Sequence, residues 1–155
     1  GWCTLTPGST TEYKYIANYL DEFEFDNNVK ILEECYDAYN AIHFMQTRAE
    51  AGKTVVEIPQ NFLTLSEPTK FFRELVLQKR VVHDGNPLLT WCLSNAVEVV
   101  DNNGNIKLSK KHKDDSQRID LVAAIMNAMV RAMTKEKKID VSEFANADFL
   151  DKLWG

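Results

Sequence analysis

The chain has 155 residues, a formal net charge of −5, 45% hydrophobic residues and 26% charged residues. This length suits one domain with its own core, the proportions are ordinary for a globular protein, and the acidic balance excludes a chain that binds polyanions over its whole surface. No apolar run approaches the roughly 20 residues of a membrane span, and no basic and apolar leader precedes the first strand, so we expect a cytoplasmic protein that is neither secreted nor inserted in a membrane.

The N-terminal part of the chain predicts a strand, a helix and a second strand. Residues 2–6 have the composition of a strand and stop at a Pro-Gly turn signal. Hydroxyl side chains within residues 9–11 can cap a helix whose apolar residues recur at helical spacing until Asn27-Asn28. Residues 29–36 then predict a short strand that ends directly before Asp37.

The next segment predicts a βαβ unit. Residues 38–51 predict a helix that ends at Gly52, a common C-terminal signal, and residues 54–58 predict a strand that Pro59 closes. The order strand, helix, strand with a short connection implies a parallel pair and a right-handed crossover. Asp37 would therefore lie at the carboxyl edge of the sheet, where open α/β sheets place their ligand sites.

The second half of the chain predicts three helices, one hairpin and a tail. The predicted elements are a helix that starts at residues 66–68, a second helix over 88–96, a hairpin of 97–100 and 106–108 around an Asn-Gly turn, and an apolar helix over 118–130. The last helix is apolar on nearly every face, which predicts a position in the middle of a domain. Residues 135–155 are a charged tail whose later part predicts a short amphipathic helix.

The cysteine pattern favours free thiols. Cys3, Cys35 and Cys92 are odd in number, dispersed along the chain, and each lies beside apolar or aromatic neighbours. That usage is typical of buried thiols and not of a disulfide framework or a zinc knuckle. We therefore expect no zinc site.

Asp120 is an acid near the front of the apolar helix. Burying a lone carboxylate there costs too much free energy, so it must lie by the helix N-terminus, pair with a cation or bind a metal. The structural alternative is strong, because Asp114, Asp115 and Ser116 can cap the helix and the helix dipole favours an acid in the first turn.

Asp37 is the second candidate, and it has an alternative role as the N-cap of a helix starting at Ala38. Acids from a strand end and from a later packed helix can nevertheless converge on divalent cations, since Mg²⁺ and Mn²⁺ prefer oxygen ligands. Two such ions roughly 3.5–4 Å apart can promote phosphodiester hydrolysis. Asp37 and Asp120 together therefore predict a metal site.

A basic segment precedes Asp120. Residues 105–113 carry four lysines and no acid, and we predict that Lys107, Lys110 and Lys111 contact DNA phosphates. The alternative is a solvated surface, which is the commoner role of such a segment. His83 and Asp84, in a loop punctuated by Gly and Pro, could approach the metal site or serve the loop alone.

Five segments in order resemble the C-terminal nuclease domain of the large terminase subunit of tailed bacteriophages. They are Leu5-Thr6-Pro7-Gly8, Tyr36-Asp37-Ala38-Tyr39-Asn40-Ala41, the segment 60–70 that ends in Pro68-Thr69-Lys70, Gly85-Asn86-Pro87-Leu88-Leu89-Thr90-Trp91, and Arg118-Ile119-Asp120. Each segment alone is weak, whereas five in the right order are strong. Ala38 and Tyr39 replace the Pro and Trp of the family motif, which leaves the acid in place.

The resemblance implies an α/β, RNase H-like fold and a two-metal endonuclease for double-stranded DNA. It makes Asp37 and Asp120 catalytic metal ligands for Mg²⁺ or Mn²⁺. It also implies partners: the remainder of the large subunit with its ATPase domain, the portal and the small terminase subunit. No Walker-type segment is present, so we expect no ATP site on this chain.

The resemblance also implies an incomplete site. The first catalytic aspartate of the family lies on a strand upstream of anything present in this sequence, so residues 1–134 would be a partial nuclease domain that lacks its first strands and is inactive alone. A rival hypothesis makes the chain a non-catalytic assembly fragment that docks on the portal through residues 140–154. An unpaired sheet edge would invite strand exchange or dimerisation.

Overall fold

The computed structural model describes residues 2–8, 12–39, 41–111 and 117–134. Helices and strands alternate through the first half, and a hairpin precedes the last helix. The elements in chain order are α1 (Tyr13–Asn27), β1 (Glu34–Tyr36), α2 (Ile42–Glu50), β2 (Val55–Glu57), α3 (Phe62–Leu77), α4 (Pro87–Asn95), β3 (Ala96–Val100), β4 (Ile106–Lys110) and α5 (Asp120–Thr134). The mixed α/β class is as predicted, and the predicted tail over 135–155 lies outside the described residues.

The described strands form two sheets of two strands each. β1 and β2 are parallel, with Tyr36 opposite Glu57, so the predicted βαβ unit is confirmed. β3 and β4 are antiparallel, with Val100 opposite Ile106, so the predicted hairpin is confirmed as well. The hairpin turn depends on Asp101, whose carboxylate accepts hydrogen bonds from two backbone N–H groups of the loop.

Two predicted strands are wrong in extent. Residues 2–6 form no strand, and Leu5 is 93% exposed, because no described strand offers this segment a partner. The strand predicted over 29–36 is only Glu34–Tyr36. The backbone N–H of Ile31 donates to the Glu24 carboxylate at 2.6 Å, so a side chain on α1 takes the place of a ladder partner there.

Helix boundaries follow the strongest local cap. α3 begins at Phe62 and not at residues 66–68, because the Asn61 side chain accepts from the Thr64 N–H at 2.8 Å, and Pro68 lies inside the helix. α4 begins at Pro87 as its signals predict, with Asn86 as the side-chain cap. α1 ends where predicted, although the proposed caps in residues 9–11 lie outside the described residues.

The core lies between α3, α5 and the edge of the parallel pair. Ile58, Leu65 and Met126 are buried in one cluster, and Cys35 and Leu108 pack against it from the two sheets. α5 is buried along one side only, because its described neighbours α3, α4 and β1 do not surround it. Leu121 and Met133 on α5 are exposed, so the predicted position of this helix in the middle of the domain holds only for the face that contacts α3, α4 and β1.

A buried ionic cluster fixes the start of β1. The Arg48 side chain on α2 is 3% exposed, and it donates to Glu34 through Nε at 3.0 Å and Nη2 at 2.6 Å. Nη2 also donates to Asp21 of α1 at 3.0 Å, Nη1 donates to Asp21 at 3.1 Å, and these carboxylates raise the pKa of Arg48. Lys53 lies beside them and donates to Glu24 at 2.6 Å. Two helices, α1 and α2, are thereby tied to the first residue of the strand.

Two other predictions concern cysteines and membranes. Cys92 is buried and Cys35 half-buried, as expected of free thiols, but Cys3 is exposed because it lies in the unpaired N-terminal segment. Among the described helices, none combines the length and apolar character needed to cross a membrane.

Candidate metal and nucleic-acid site

Asp37 follows β1 directly and is exposed to solvent. Its Oδ1 accepts a hydrogen bond from the Tyr39 N–H at 3.2 Å, which shapes the turn that leaves the strand. α2 begins only at Ile42 and has no side-chain cap, so the alternative role of Asp37 as a helix N-cap is wrong. The second carboxylate oxygen has no hydrogen-bond or ion-pair partner among the described residues.

Asp120 is the first residue of α5 and is also exposed. The partial positive charge of the helix N-terminus favours a carboxylate at this position, as the structural alternative predicted. The carboxylate therefore needs no compensation for burial. The proposed caps at Asp114, Asp115 and Ser116 lie outside the described residues, and no described cation pairs with Asp120.

β1 and α5 run in opposite directions. Arg131, in the last turn of α5, forms a bidentate ion pair with Glu33, the residue before β1, at 2.9 and 3.1 Å. This hydrogen bonding raises the pKa of Arg131. One step further along the strand, Cys35 packs against the cluster that contains Met126, which lies earlier in the helix. As the strand advances, its neighbours on α5 therefore come from earlier in the chain.

With this orientation we expect Asp37 and Asp120 at the same end of the packed pair. From Glu33 to Asp37 an extended chain covers about 13 Å at about 3.3 Å per residue. From Arg131 back to Asp120 the helix covers roughly 16 Å at about 1.5 Å per residue. If the two elements were aligned, the two acids would therefore lie at similar heights along β1 and α5, beyond the carboxyl end of the strand.

The donors available at this end suit a hard cation but are few. Carboxylate oxygens are preferred ligands of Mg²⁺ and Mn²⁺, and both acids are exposed and without ion-pair partners in the described chain. Among residues 2–8, 12–39, 41–111 and 117–134, no group of three or more His, Cys, Asp or Glu side chains is placed to hold a metal ion. Two carboxylates can contribute to such a site, and further oxygen ligands must come from elsewhere.

Several basic residues lie near the start of α5. The buried Asn95 at the end of α4 accepts the Lys111 N–H at 2.8 Å through its backbone carbonyl. Its side-chain Nδ2 donates to the Arg118 carbonyl at 3.1 Å, two residues before Asp120. The backbones of Lys111 and Arg118 thus meet at Asn95, close to the start of α5, and neither of these residues nor Lys110 forms an ion pair with a described acid.

Lys107 differs from the other two lysines of the predicted phosphate contact. Its Nζ donates to the backbone carbonyl of Gln60 at 3.0 Å and lies 4.9 Å from the centroid of the Phe62 ring. The ammonium is therefore already engaged by groups at the exit of β2. Its assignment to a DNA phosphate stays a prediction, with these contacts against it.

His83 and Asp84 make hydrogen bonds within their own loop. His83 Nδ1 accepts from the Gly85 N–H, and Asp84 Oδ1 accepts from the Asn86 N–H, both at 3.1 Å. The length of α4, about 13 Å, separates this loop from the Asn95 end of the helix. These contacts support the loop role, and the structure does not bring the pair to Asp120.

The chain matches a known protein family over most of its length. The model of the terminase large subunit endonuclease domain matches residues 1–136. The chain belongs to this family. The large terminase subunit of Enterobacteria phage HK97 is 30% identical over 112 residues, which are 71% of this chain and 22% of that protein. The protein YmfN of Escherichia coli strain K12 is 30% identical over 145 residues, which are 92% of this chain and 31% of YmfN.

The fold agrees with a solved terminase. The crystal structure of the HK97 bacteriophage large terminase superposes with a TM-score of 0.69 and 29% identity, over 81% of this chain and 26% of that chain. This terminase-family chain thus spans less than a third of the length of each relative.

The sequence alone did not reveal several polar residues of this terminase domain. Gln60 and Arg118 lie inside the matching segments and Asn95 follows one of them, but their contacts reach residues far away in sequence. Asn127 carried a detectable signal, because it is a polar residue within the apolar α5, and it is buried.

Proposed function

We propose that this chain is part of an RNase H-like endonuclease domain that cuts double-stranded DNA with Mg²⁺ or Mn²⁺. Asp37 and Asp120 are the proposed catalytic ligands, and the site would work in the cytoplasm of the infected bacterial host. The proposed partners are DNA, the rest of the large subunit with its ATPase domain, the portal and the small subunit. The observation that supports the proposal is the Glu33–Arg131 pair, since it ties the last turn of α5 to the start of β1, an arrangement in which both acids would lie at the other end.

Phosphodiester hydrolysis of this kind needs groups that bind a metal and groups that hold phosphates, and the described residues offer both. Exposed carboxylates without cationic partners are available to bind a divalent cation, which supplies Lewis acidity to the scissile phosphate when bound. Lys110, Lys111 and Arg118 would hold neighbouring phosphates by charge, independently of base sequence. Such contacts would orient the backbone over the acids while the net charge of −5 limits binding elsewhere on the chain.

We further propose that these 155 residues bind the metal weakly and do not cut DNA alone. Two carboxylates leave most oxygen positions around a divalent cation to water or to other ligands. The family resemblance supplies a third aspartate from an earlier strand. Efficient plasmid cleavage by the isolated chain would contradict this part of the proposal.

A Mn²⁺ titration tests the metal ligands. Paramagnetic broadening of amide NMR signals and calorimetry would be recorded for the unmodified chain, for Asp37→Asn and for Asp120→Asn. Broadening should centre on both acids, and each substitution should weaken binding. Asp26→Asn, an exposed acid on α1, is the matched control and should bind as the unmodified chain does. Unchanged Mn²⁺ affinity in both test variants would remove the assignment.

A further inference from the structure

A connected polar network lies at the exit of β2. Gln60 Nε2 donates to Asn127 Oδ1 at 2.9 Å and to the Ile58 carbonyl at 2.8 Å. The backbone carbonyl of Gln60 in turn accepts from Lys107 Nζ at 3.0 Å. Lys107 also lies over the Phe62 ring, where a cation is attracted to the π face. Gln60, which follows β2, is thus hydrogen-bonded to both β4 and α5.

The network joins α5, which begins at Asp120, to the exit of β2, the strand paired with the one that Asp37 follows. Gln60 follows β2, whose register with β1 puts Tyr36 opposite Glu57, so this exit adjoins the edge where Asp37 emerges. Asn127 lies on α5, roughly 10 Å along the helix from Asp120. The two described sheets share no strand, so the bond from Lys107 to Gln60 is a direct link between them.

We infer that Gln60 and Lys107 are positioning residues for the metal site, and that Lys107 is not a phosphate contact; the inference rests on the proposed function. Gln60 fixes the distance between the β1–β2 edge and α5, and Lys107 fixes the backbone carbonyl of Gln60. Lys107 and Lys110 are three positions apart on β4, so their side chains point to opposite faces of the hairpin.

Loss of a residue that hydrogen-bonds a metal ligand typically costs about 10–100-fold in metal affinity, and Gln60 and Lys107, which contact neither acid directly, should act at the low end of that range. Lys107→Met keeps the aliphatic stem and removes the ammonium, so its Mn²⁺ affinity should fall about tenfold, at the low end of that range. Lys107→Arg should restore most of the affinity, because a guanidinium can donate to the same carbonyl and stack on the same ring. Gln60→Met removes the side-chain bonds but keeps the carbonyl, and should also weaken Mn²⁺ binding.

The test combines Mn²⁺ affinity with the salt dependence of binding to a short DNA duplex, measured on the 155-residue chain well below its unfolding temperature. Lys107→Met should lose Mn²⁺ affinity and keep the slope of log affinity against log salt. Lys110→Met, the matched control on the same strand, should keep its Mn²⁺ affinity and show a reduced slope. Gln60→Met serves in place of Lys107→Met should that variant not fold.

The outcomes distinguish failure of the positioning role from failure of the proposed function. Normal Mn²⁺ binding by Lys107→Met, or a salt slope that falls as in Lys110→Met, would overturn the positioning role and leave the proposed function standing. Failure of the Arg variant to restore Mn²⁺ affinity would also count against the positioning role. If the unmodified chain shows no Mn²⁺ binding at Asp37 and Asp120, the proposed function fails and this inference fails with it.

Discussion

Replacing Arg48 with Met is the sharpest test of what holds β1 in place. The substitution removes all three hydrogen bonds to Glu34, an acid that is 8% exposed and would remain buried without its cation. Breaking a buried ion pair from one side costs about 3–5 kcal/mol. The broken bonds to Asp21 add little, since that side chain is 51% exposed and such a pair contributes under about 1 kcal/mol.

Urea unfolding followed by circular dichroism measures this loss. With an m-value of about 2 kcal/mol per molar urea, a loss of about 4 kcal/mol moves the midpoint by about 2 M. The double variant Arg48→Met/Glu34→Leu should recover most of the stability, because replacing both members of a buried pair with apolar residues is often neutral. A midpoint for Arg48→Met within about 0.5 M of the unmodified chain would refute the argument.

Arg73→Met is the matched control for this experiment. Arg73 pairs with Glu98 at 2.8 Å, a distance similar to that in the buried pair, but its side chain is 56% exposed. An exposed ion pair contributes under about 1 kcal/mol, so the control should barely move the midpoint. Equal losses in the two variants would mean that burial does not set the strength of these pairs.

The remaining predictions concern DNA binding and acid stability. Lys110→Ala/Lys111→Ala should reduce the slope of log DNA affinity against log salt by about 0.9 for each phosphate that is no longer neutralised, measured by fluorescence anisotropy. Lys30→Ala, at the opposite end of β1, should leave that slope unchanged. Asp21 has a pKa below its ordinary value of 3.8 because Arg48 donates hydrogen bonds to it. Its stabilising contribution is therefore full above pH 3.8 and is lost as the pH falls through the lowered pKa, so Asp21→Asn should flatten the acid limb of a stability–pH curve.

The elements that could be predicted from sequence are those with a complete local signal. Asn86-Pro87 gives both a cap and a favourable first residue, so α4 begins where expected. The Asn-Gly turn within the hairpin likewise requires only neighbouring residues. The start of α3 was missed because Asn61 and Ser66 offer competing caps, and Pro68 is tolerated inside the helix.

The strands and the site needed information that no local pattern contains. Residues 2–6 have strand composition, but a strand forms only where a partner accepts its backbone hydrogen bonds. Asp37 and Asp120 could be selected from their positions beside regular elements, whereas their exposure could not. The bonds from Gln60 to Asn127 and from Lys107 to Gln60 cross 67 and 47 residues, so only the folded chain shows that Lys107 is engaged.

Acids at the two ends of β1 differ in their ion-pair partners, and this contrast is the strongest physical argument for the proposed metal site. At the start of the strand, Glu33 and Glu34 are paired with Arg131 and Arg48. These arginines hold the strand against α5 and α2, and a carboxylate engaged in this way has few oxygens left for a metal. At the carboxyl end, Asp37 has no ion-pair partner in the described chain, although lysines and an arginine lie near the start of α5. A carboxylate that only stabilised the fold would gain most from pairing with such a cation. An exposed acid beside unpaired cations is the arrangement expected where the acid binds a metal and the cations bind phosphate.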